Sequence, residues 1–183
     1  MVWSAAARYF WLAVARGQGY ARTRSFHREV RTLVVVARKQ RSKDKIITDR
    51  RSLTAILSGL MAQGKTVVLT NGVFELMHVG HTRCLEDARS RGDFLVVAVN
   101  SDESAERLKG KGRPVVPADE RMEVLAGLGF VDYVTTFDED TADKLIEQLR
   151  PSLYAKGSDY TIKTLPERDT LKKFDLKIGR AHV

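Results

Sequence analysis

Apolar residues recur at Leu53, Ile56, Leu57 and Leu60, the spacing of one helix face, which predicts a helix over 51–63 with Gly64 closing it. An apolar run at 66–71 reads as a buried strand, and Asn71-Gly72 ends it. A helix over about 80–91 carries Cys84, Leu85 and Ala88 on one side, with Gly92 as its stop. Next come a strand at 94–100, a short helix at 102–108, a loop rich in Gly, Lys and Arg at 109–117, and a helix at about 118–128. A strand at 131–136, a helix at 141–149 halted before Pro151, and a strand at 152–156 complete the series. Apolar strands alternating with helices predict an α/β fold, a Rossmann-like open parallel sheet with helices on both faces. Ligands of such sheets bind beyond the carboxyl ends of the strands, where Asn71, His78, Asn100, Asp102 and residues 156–159 fall.

Composition bounds this picture. With 183 residues, 43% of them hydrophobic, the chain suits one globular domain with a proper core. The single cysteine, Cys84, excludes an internal disulfide framework, and no CxxC or Cys/His cluster suggests zinc. Cys84 lies on the apolar side of its helix and reads as a packing residue. No run approaches the ~18 apolar residues of a membrane-spanning helix, so no membrane partner is expected.

The net charge of +8 suggests nucleic acid until its distribution is read. Residues 1–43 hold ten Lys/Arg and one acid, Glu29, whereas the rest balances 21 basic against 22 acidic side chains. The body therefore has the charge of an ordinary enzyme, with no nucleic-acid partner expected. The leader, 1–43, shows no period beyond Ala15 and reads as poorly structured. Three origins remain open for it: a targeting segment, a basic arm for nucleic acid or anionic lipid, or translated sequence upstream of the true start. At the other end, residues 178–183 are what ATCGGAAGAGCACACGTC encodes, a string resembling a sequencing adapter. The domain is accordingly expected to span 44–176, incomplete at its C-terminus, with 177–183 a non-native tail and His182 without function.

Candidate chemistry centres on TNGVFELMHVGH at 70–81. Two of the four histidines, His78 and His81, flank Gly80 at a strand-to-helix turn. The free N–H groups and dipole of a helix start favour an anion there, which marks a phosphate site. No GxGxxG follows the first strand and no GxxxxGK[ST] occurs, so hydride transfer and P-loop chemistry lose support. By composition alone Lys109, Lys111 and Arg113 form a solvated loop, and 156–159 a turn. Asp132 reads as a packing or capping residue.

These residues resemble the HxGH nucleotidyltransferases, and within them the D-glycero-β-D-manno-heptose 1-phosphate adenylyltransferases, over about 44–174. The motifs are TNGVFELMHVGH (70–81), VVAVNSD (96–102), RLKGKGRPVVP (107–117), ERMEVLAGLGFVDYVTTFDEDT (120–141) and LRPSLYAKGSDY (149–160). The resemblance implies attack of a sugar 1-phosphate oxygen on the α-phosphorus of ATP, with ADP-heptose and pyrophosphate as products. It implies His78, His81 and Lys109 as catalytic residues, with Lys111 and Arg113 as weaker candidates. Nucleotide contacts are implied at Thr70, Asn71, Gly72, Phe74, Gly80, Asn100, Asp102, Arg121, Lys156, Gly157 and Asp159. Read from the chain alone, Arg121 pairs with nearby acids as readily as it contacts nucleotide, and Asp102 caps its helix as readily as it contacts ligand. The implied cofactor is Mg²⁺, held by water and substrate oxygens rather than by protein ligands; the partners are ATP and a sugar phosphate, in a cytoplasmic enzyme that forms a possible homodimer. Transfer to glycerol 3-phosphate or FMN, and a non-catalytic nucleotide-binding module, are the alternatives. Two departures stand out: Glu75 takes a place where aspartate is usual, and no Ser-Thr-Thr segment follows Phe174. A missing last strand and helix would leave the sheet with an unpaired edge and half the phosphate cradle absent.

Overall fold

A computed structural model of the chain describes residues 41–157 and 164–181. In chain order its elements are a 3₁₀ turn Ser42–Lys45, α1 (Arg50–Ala62), β1 (Val67–Gly72), α2 (Val79–Ser90), β2 (Phe94–Asn100), α3 (Asp102–Lys109), α4 (Ala118–Gly127), β3 (Tyr133–Phe137), α5 (Asp143–Leu149), β4 (Leu153–Gly157), α6 (Arg168–Lys173) and β5 (Lys177–Ala181). The strands form one parallel sheet in the order β3-β2-β1-β4-β5.

The period of two along each strand sorts residues into two cores, as a sheet covered on both faces requires. Val67 and Leu69 of β1, with Val96 and Ala98 of β2, pack against Leu53 and Leu57 of α1, Leu145, Ile146 and Leu149 of α5, and Leu171 of α6. Val68, with Leu95, Val97 and Val99, packs on the opposite face against Leu85 and Ala88 of α2 and Met122, Leu125 and Ala126 of α4. Full burial of each Leu or Val contributes roughly 1.5–3 kcal/mol, so this sorting dominates the stability of the sheet.

Helix ends follow local chemistry. Asp49 caps α1 by accepting the Ser52 N–H at 2.9 Å, and Gly64 beyond its end has φ +77, a conformation that a side chain would strain. Gly92 plays a different part from the helix stop expected of it. A Cβ there would lie 2.7 Å from Val68 Cγ2 and 2.9 Å from the Thr66 carbonyl, so its role is close approach to β1. The third strand starts at Tyr133, two residues later than the apolar pattern predicts. Val131 N–H instead closes a turn on Leu128 O at 3.2 Å, and Asp132 Oδ2 accepts the Leu95 N–H at 2.8 Å.

Both ends of the described chain correct an expectation. Residues 42 and 43, assigned to a poorly structured leader, begin the 3₁₀ turn Ser42–Lys45, and Lys45 Nζ donates to Leu128 O at 3.0 Å and Val131 O at 2.7 Å just beyond α4. Ile46 then bridges Val134 on the outer edge of β3. Residues 177–181, assigned to a non-native tail, form a fifth strand: Lys177–Ala181 pairs with Leu153–Gly157 throughout, and α6 precedes it. Remaining leader and tail assignments fall on 1–40 and 182–183, outside the described residues.

Candidate active site

The strand order reverses between β1 and β4, since β2 and β3 extend from one side of β1 and β4 and β5 from the other. Such a switch point is where open parallel sheets bind ligands. Here β1 stays in register with β2 through Gly72, but pairs with β4 only at Val68↔Leu153 and Leu69↔Tyr154. Past those residues side chains cross between the two strands. Asn71 Oδ1 accepts from the Tyr154 hydroxyl and from Lys156 Nζ at 2.9 Å. Lys156 Nζ also lies 3.7 Å from Oε1 of Glu167, a carboxylate 2% exposed that takes the Ala142 N–H at 3.3 Å. The second oxygen of Glu167 is buried without a hydrogen-bond partner, so the lysine's positive charge is what offsets its burial. Asn71 and Lys156, expected as nucleotide contacts, thus bond to one another as the floor of the crevice. Gly157 ends β4 beside them. Asp159 lies outside the described residues.

Above this floor the chain turns from β1 into α2. Phe74 holds φ +48, a sparsely populated conformation costing on the order of 1–3 kcal/mol for a bulky residue. Its ring folds back over Gly72, where a Cβ would sit 3.1 Å away, and its edge meets His81 at 5.4 Å. Gly72 and Phe74 therefore support the histidine ring. The strain is stored beside the candidate phosphate site.

His78 is itself the N-cap of α2: its Nδ1 accepts the buried Gly80 N–H at 3.1 Å. A nitrogen that accepts carries no proton, so Nε2 of the neutral ring is the N–H donor. The two imidazoles stack at 3.9 Å with 25° between their planes. His81 is partly buried, and burial first, then the neighbouring His78, push its pKa below the usual imidazole value against the opposing effect of the Leu76 carbonyl. Its Nδ1 is buried with no hydrogen-bond partner. The turn thus presents one N–H donor and one neutral ring at the positive end of a helix, ready for an anion.

Arg121, expected as a nucleotide contact, is engaged by protein partners in the structure. It is 2% exposed, and its guanidinium donates to Val116 O at 2.8 Å, Val73 O at 2.6 Å and Asp102 Oδ1 at 2.7 Å. Every nitrogen of the fork is occupied in tying the turn after β1, the loop before α4 and the start of α3 together. Asp102 consequently faces Arg121 and does not cap α3; Ser101 Oγ does so by accepting the Ser104 N–H at 3.2 Å. Thr70 and Asn100 are buried beneath the site, with Asn100 Nδ2 donating to Ser104 Oγ at 3.0 Å.

Lys109 ends α3, exposed to solvent, with Gly110 following at φ +98. Glu75 Oε1 reaches the same loop, accepting the Val115 N–H at 2.7 Å and Arg113 Nη1 at 2.9 Å. The Val115 amide first, then Arg113 and Lys109, hold its carboxyl below the usual carboxylate range against a desolvation effect that acts upward. Sequence reasoning missed Tyr154 and Glu167 as parts of this region, and noted Glu75 only as a departure within the motif. Glu75 stands out as the lone acid in the TNGVFELMHVGH run, whereas nothing local marks Glu167, whose partners lie 11 and 25 residues away.

A five-stranded parallel sheet with a histidine pair at its switch point defines the nucleotidyltransferase class. The cytidylyltransferase-like family profile matches residues 69–182, and the chain belongs to that family. It is 49% identical over 122 residues to the bifunctional protein HldE of Geobacter sulfurreducens, covering 67% of this chain and 25% of that protein. Over 137 residues it is 47% identical to the HldE of Azotobacter vinelandii, covering 75% and 29%. The chain thus spans between a quarter and a third of these relatives. Among solved structures, a lipopolysaccharide core biosynthesis protein from Thermoplasma volcanium superposes with TM-score 0.56 at 28% identity, covering 64% of this chain and 97% of that one. A pantoate-beta-alanine ligase from Francisella tularensis, with TM-score 0.54, 16% identity and coverage of 75% and 66%, shares the fold. Among the described residues no helix is long and apolar enough to cross a membrane.

Proposed function

We propose that this domain transfers AMP from ATP to D-glycero-β-D-manno-heptose 1-phosphate, giving ADP-heptose and pyrophosphate. The observation that carries the reading is the stacked His78–His81 pair at the start of α2, beside the switch point of the sheet. A phosphate oxygen of the sugar attacks the α-phosphorus, the bond from that phosphorus to the bridging oxygen breaks, and pyrophosphate leaves. In-line transfer of this kind is catalysed by positioning and charge neutralisation. His78 Nε2 donates to the triphosphate, His81 takes up the charge that builds on the α-phosphoryl oxygens, and Lys109 adds a cation from the loop. Among the described residues no three His, Cys, Asp or Glu side chains gather as a metal site. Mg²⁺ accompanying the triphosphate would therefore be held by phosphate oxygens and water, and would neutralise phosphate charge.

The acceptor rests on the HldE relatives and on the RLKGKGRP loop. A reaction on ATP and a phosphorylated sugar is expected in the cytoplasm, and homodimerisation is a further expectation, measured by sedimentation. The test is pyrophosphate release by the 183-residue chain given ATP, Mg²⁺ and heptose 1-phosphate, beside glycerol 3-phosphate and FMN with both ATP and CTP. Release with the heptose acceptor and ATP supports the assignment. Release only with another pair replaces the substrate, and His78-dependent ATP binding without release on any acceptor makes the chain a binding module.

A further inference from the structure

The loop 110–117 has little of its own to hold it in place. Gly110 and Gly112 adopt φ +98 and +84, a Cβ on either would meet nothing within 4 Å, and Val115 is 63% exposed. The flanking helices hold its two ends, with Gly110 N–H donating to Glu106 O at 2.8 Å and Pro117 O accepting the Arg121 N–H at 3.0 Å. Between those ends, among the described residues, the hydrogen bonds from outside come from the Arg121 side chain, which donates to Val116 O, and from Glu75, which accepts from Val115 N–H and Arg113. Arg121 is buried, and the one group of the loop that its side chain grips is the Val116 carbonyl. Glu75 instead emerges from the turn three residues before His78 and fastens the part of the loop that carries its cations.

We infer that Glu75 is the positioning residue of the triphosphate site, clamping the basic loop beside the histidine pair so that Lys109 and Lys111 remain available for phosphate. The inference rests on the nucleotidyl-transfer reading above and deepens it. A carboxylate at the mouth of a phosphate site would repel the ligand unless its charge were neutralised, and Arg113 at 2.9 Å neutralises it. Of three cations over 109–113, one is therefore spent on the clamp and two are left. Both bonds converge on the same oxygen, Oε1, so they depend on the reach of this side chain. An aspartate, one methylene shorter, cannot bring its oxygen to both donors without moving the loop.

The experiment uses trypsin on the full chain, with cleavage after Lys109 and Lys111 followed by fragment mass, alongside steady-state kinetics with Mg-ATP. Glu75→Ala should speed both cuts in the absence of nucleotide and raise KM for ATP by roughly ten- to a hundredfold, the range of one charge-assisted hydrogen bond, with a smaller change in kcat. Glu75→Gln keeps an acceptor for Val115 and should fall between wild type and Ala, and Glu75→Asp likewise. Wild-type cutting rates and an unchanged KM in Glu75→Ala and Glu75→Gln overturn the inference, as does faster cutting with KM unmoved. A wild-type chain that binds no ATP sinks the functional reading instead, while the cutting rates still report on the clamp.

Discussion

The imidazole of His78 lies stacked 3.9 Å from that of His81 while its Nδ1 holds the Gly80 amide. One side chain thus does two jobs, capping α2 and offering Nε2–H to a ligand, and substitutions can separate them. His78→Ala removes both. It should cost about 1 kcal/mol of stability as a lost cap and lower kcat by roughly 10²–10³ as a lost charge-stabilising donor. His78→Asn keeps a cap acceptor, so its thermal midpoint should stay near wild type while kcat falls as far. Calorimetry and initial rates on the pair check this; equal stability losses in both variants would remove the cap from the account.

His81 makes nucleotide binding dependent on pH. Burial and the stacked His78 keep its pKa below the usual value in the free protein, so the ring is neutral at pH 7. A triphosphate oxygen beside it favours the charged ring and raises that pKa. Binding therefore takes up protons near the imidazole range, and affinity for ATP should rise as pH falls from 8 toward 6. Titration calorimetry in buffers of different ionisation enthalpy measures the uptake, and His81→Asn should abolish it. Proton release on binding by the wild type would contradict the assignment.

Arg121 joins three segments through one buried fork, so its loss should be felt in both stability and substrate binding. Arg121→Met retains much of the volume and removes the hydrogen bonds to Val73, Val116 and Asp102. Three lost bonds with two part-buried carbonyls left without this donor predict destabilisation of about 3 kcal/mol. Asp102 is half-exposed, so Asp102→Asn should cost no more than about 1 kcal/mol. Chemical denaturation of the two variants gives the comparison. Equal and small effects would mean that the loops are held elsewhere.

What could be read from the chain alone follows the range of the interactions involved. The core strands and helices were accessible because their cause is local: β2 runs over 94–100 as its apolar run predicts, and Leu53 and Leu57 lie on the buried face that their spacing indicates. The end of the sheet was hidden because α6 is a six-residue helix with one buried side chain, Leu171, and β5 has no apolar run. At the site, the carboxyl ends of the strands were correctly located as the place where polar residues gather. Their partners were not, since Arg121 reaches Val73 across 48 positions and Lys156 reaches Asn71 across 85. The motif therefore named residues that hold the cradle together as readily as residues that would touch a nucleotide.

Arg50 at the start of α1 grips Glu139, beyond the end of β3, through two bonds of 2.9 and 2.6 Å. This pairing, against a desolvation effect in the other direction, lowers the Glu139 pKa to about 2, well below the usual carboxylate range. A depressed folded-state pKa contributes stability that is fully present above the unfolded value and is lost as pH falls through the folded one. Unfolding free energy should accordingly decline between about pH 5 and pH 2, where the folded chain retains a charge that the unfolded chain gives up. Asp49 and Glu75, also held below the usual range, add to the same slope, so the wild-type curve alone does not isolate the pair. Glu139→Gln does: it should lower stability at pH 7, converge on wild type near pH 2, and flatten the curve between. Parallel curves for variant and wild type across that window would show that the ion pair does not set the acid sensitivity of the fold.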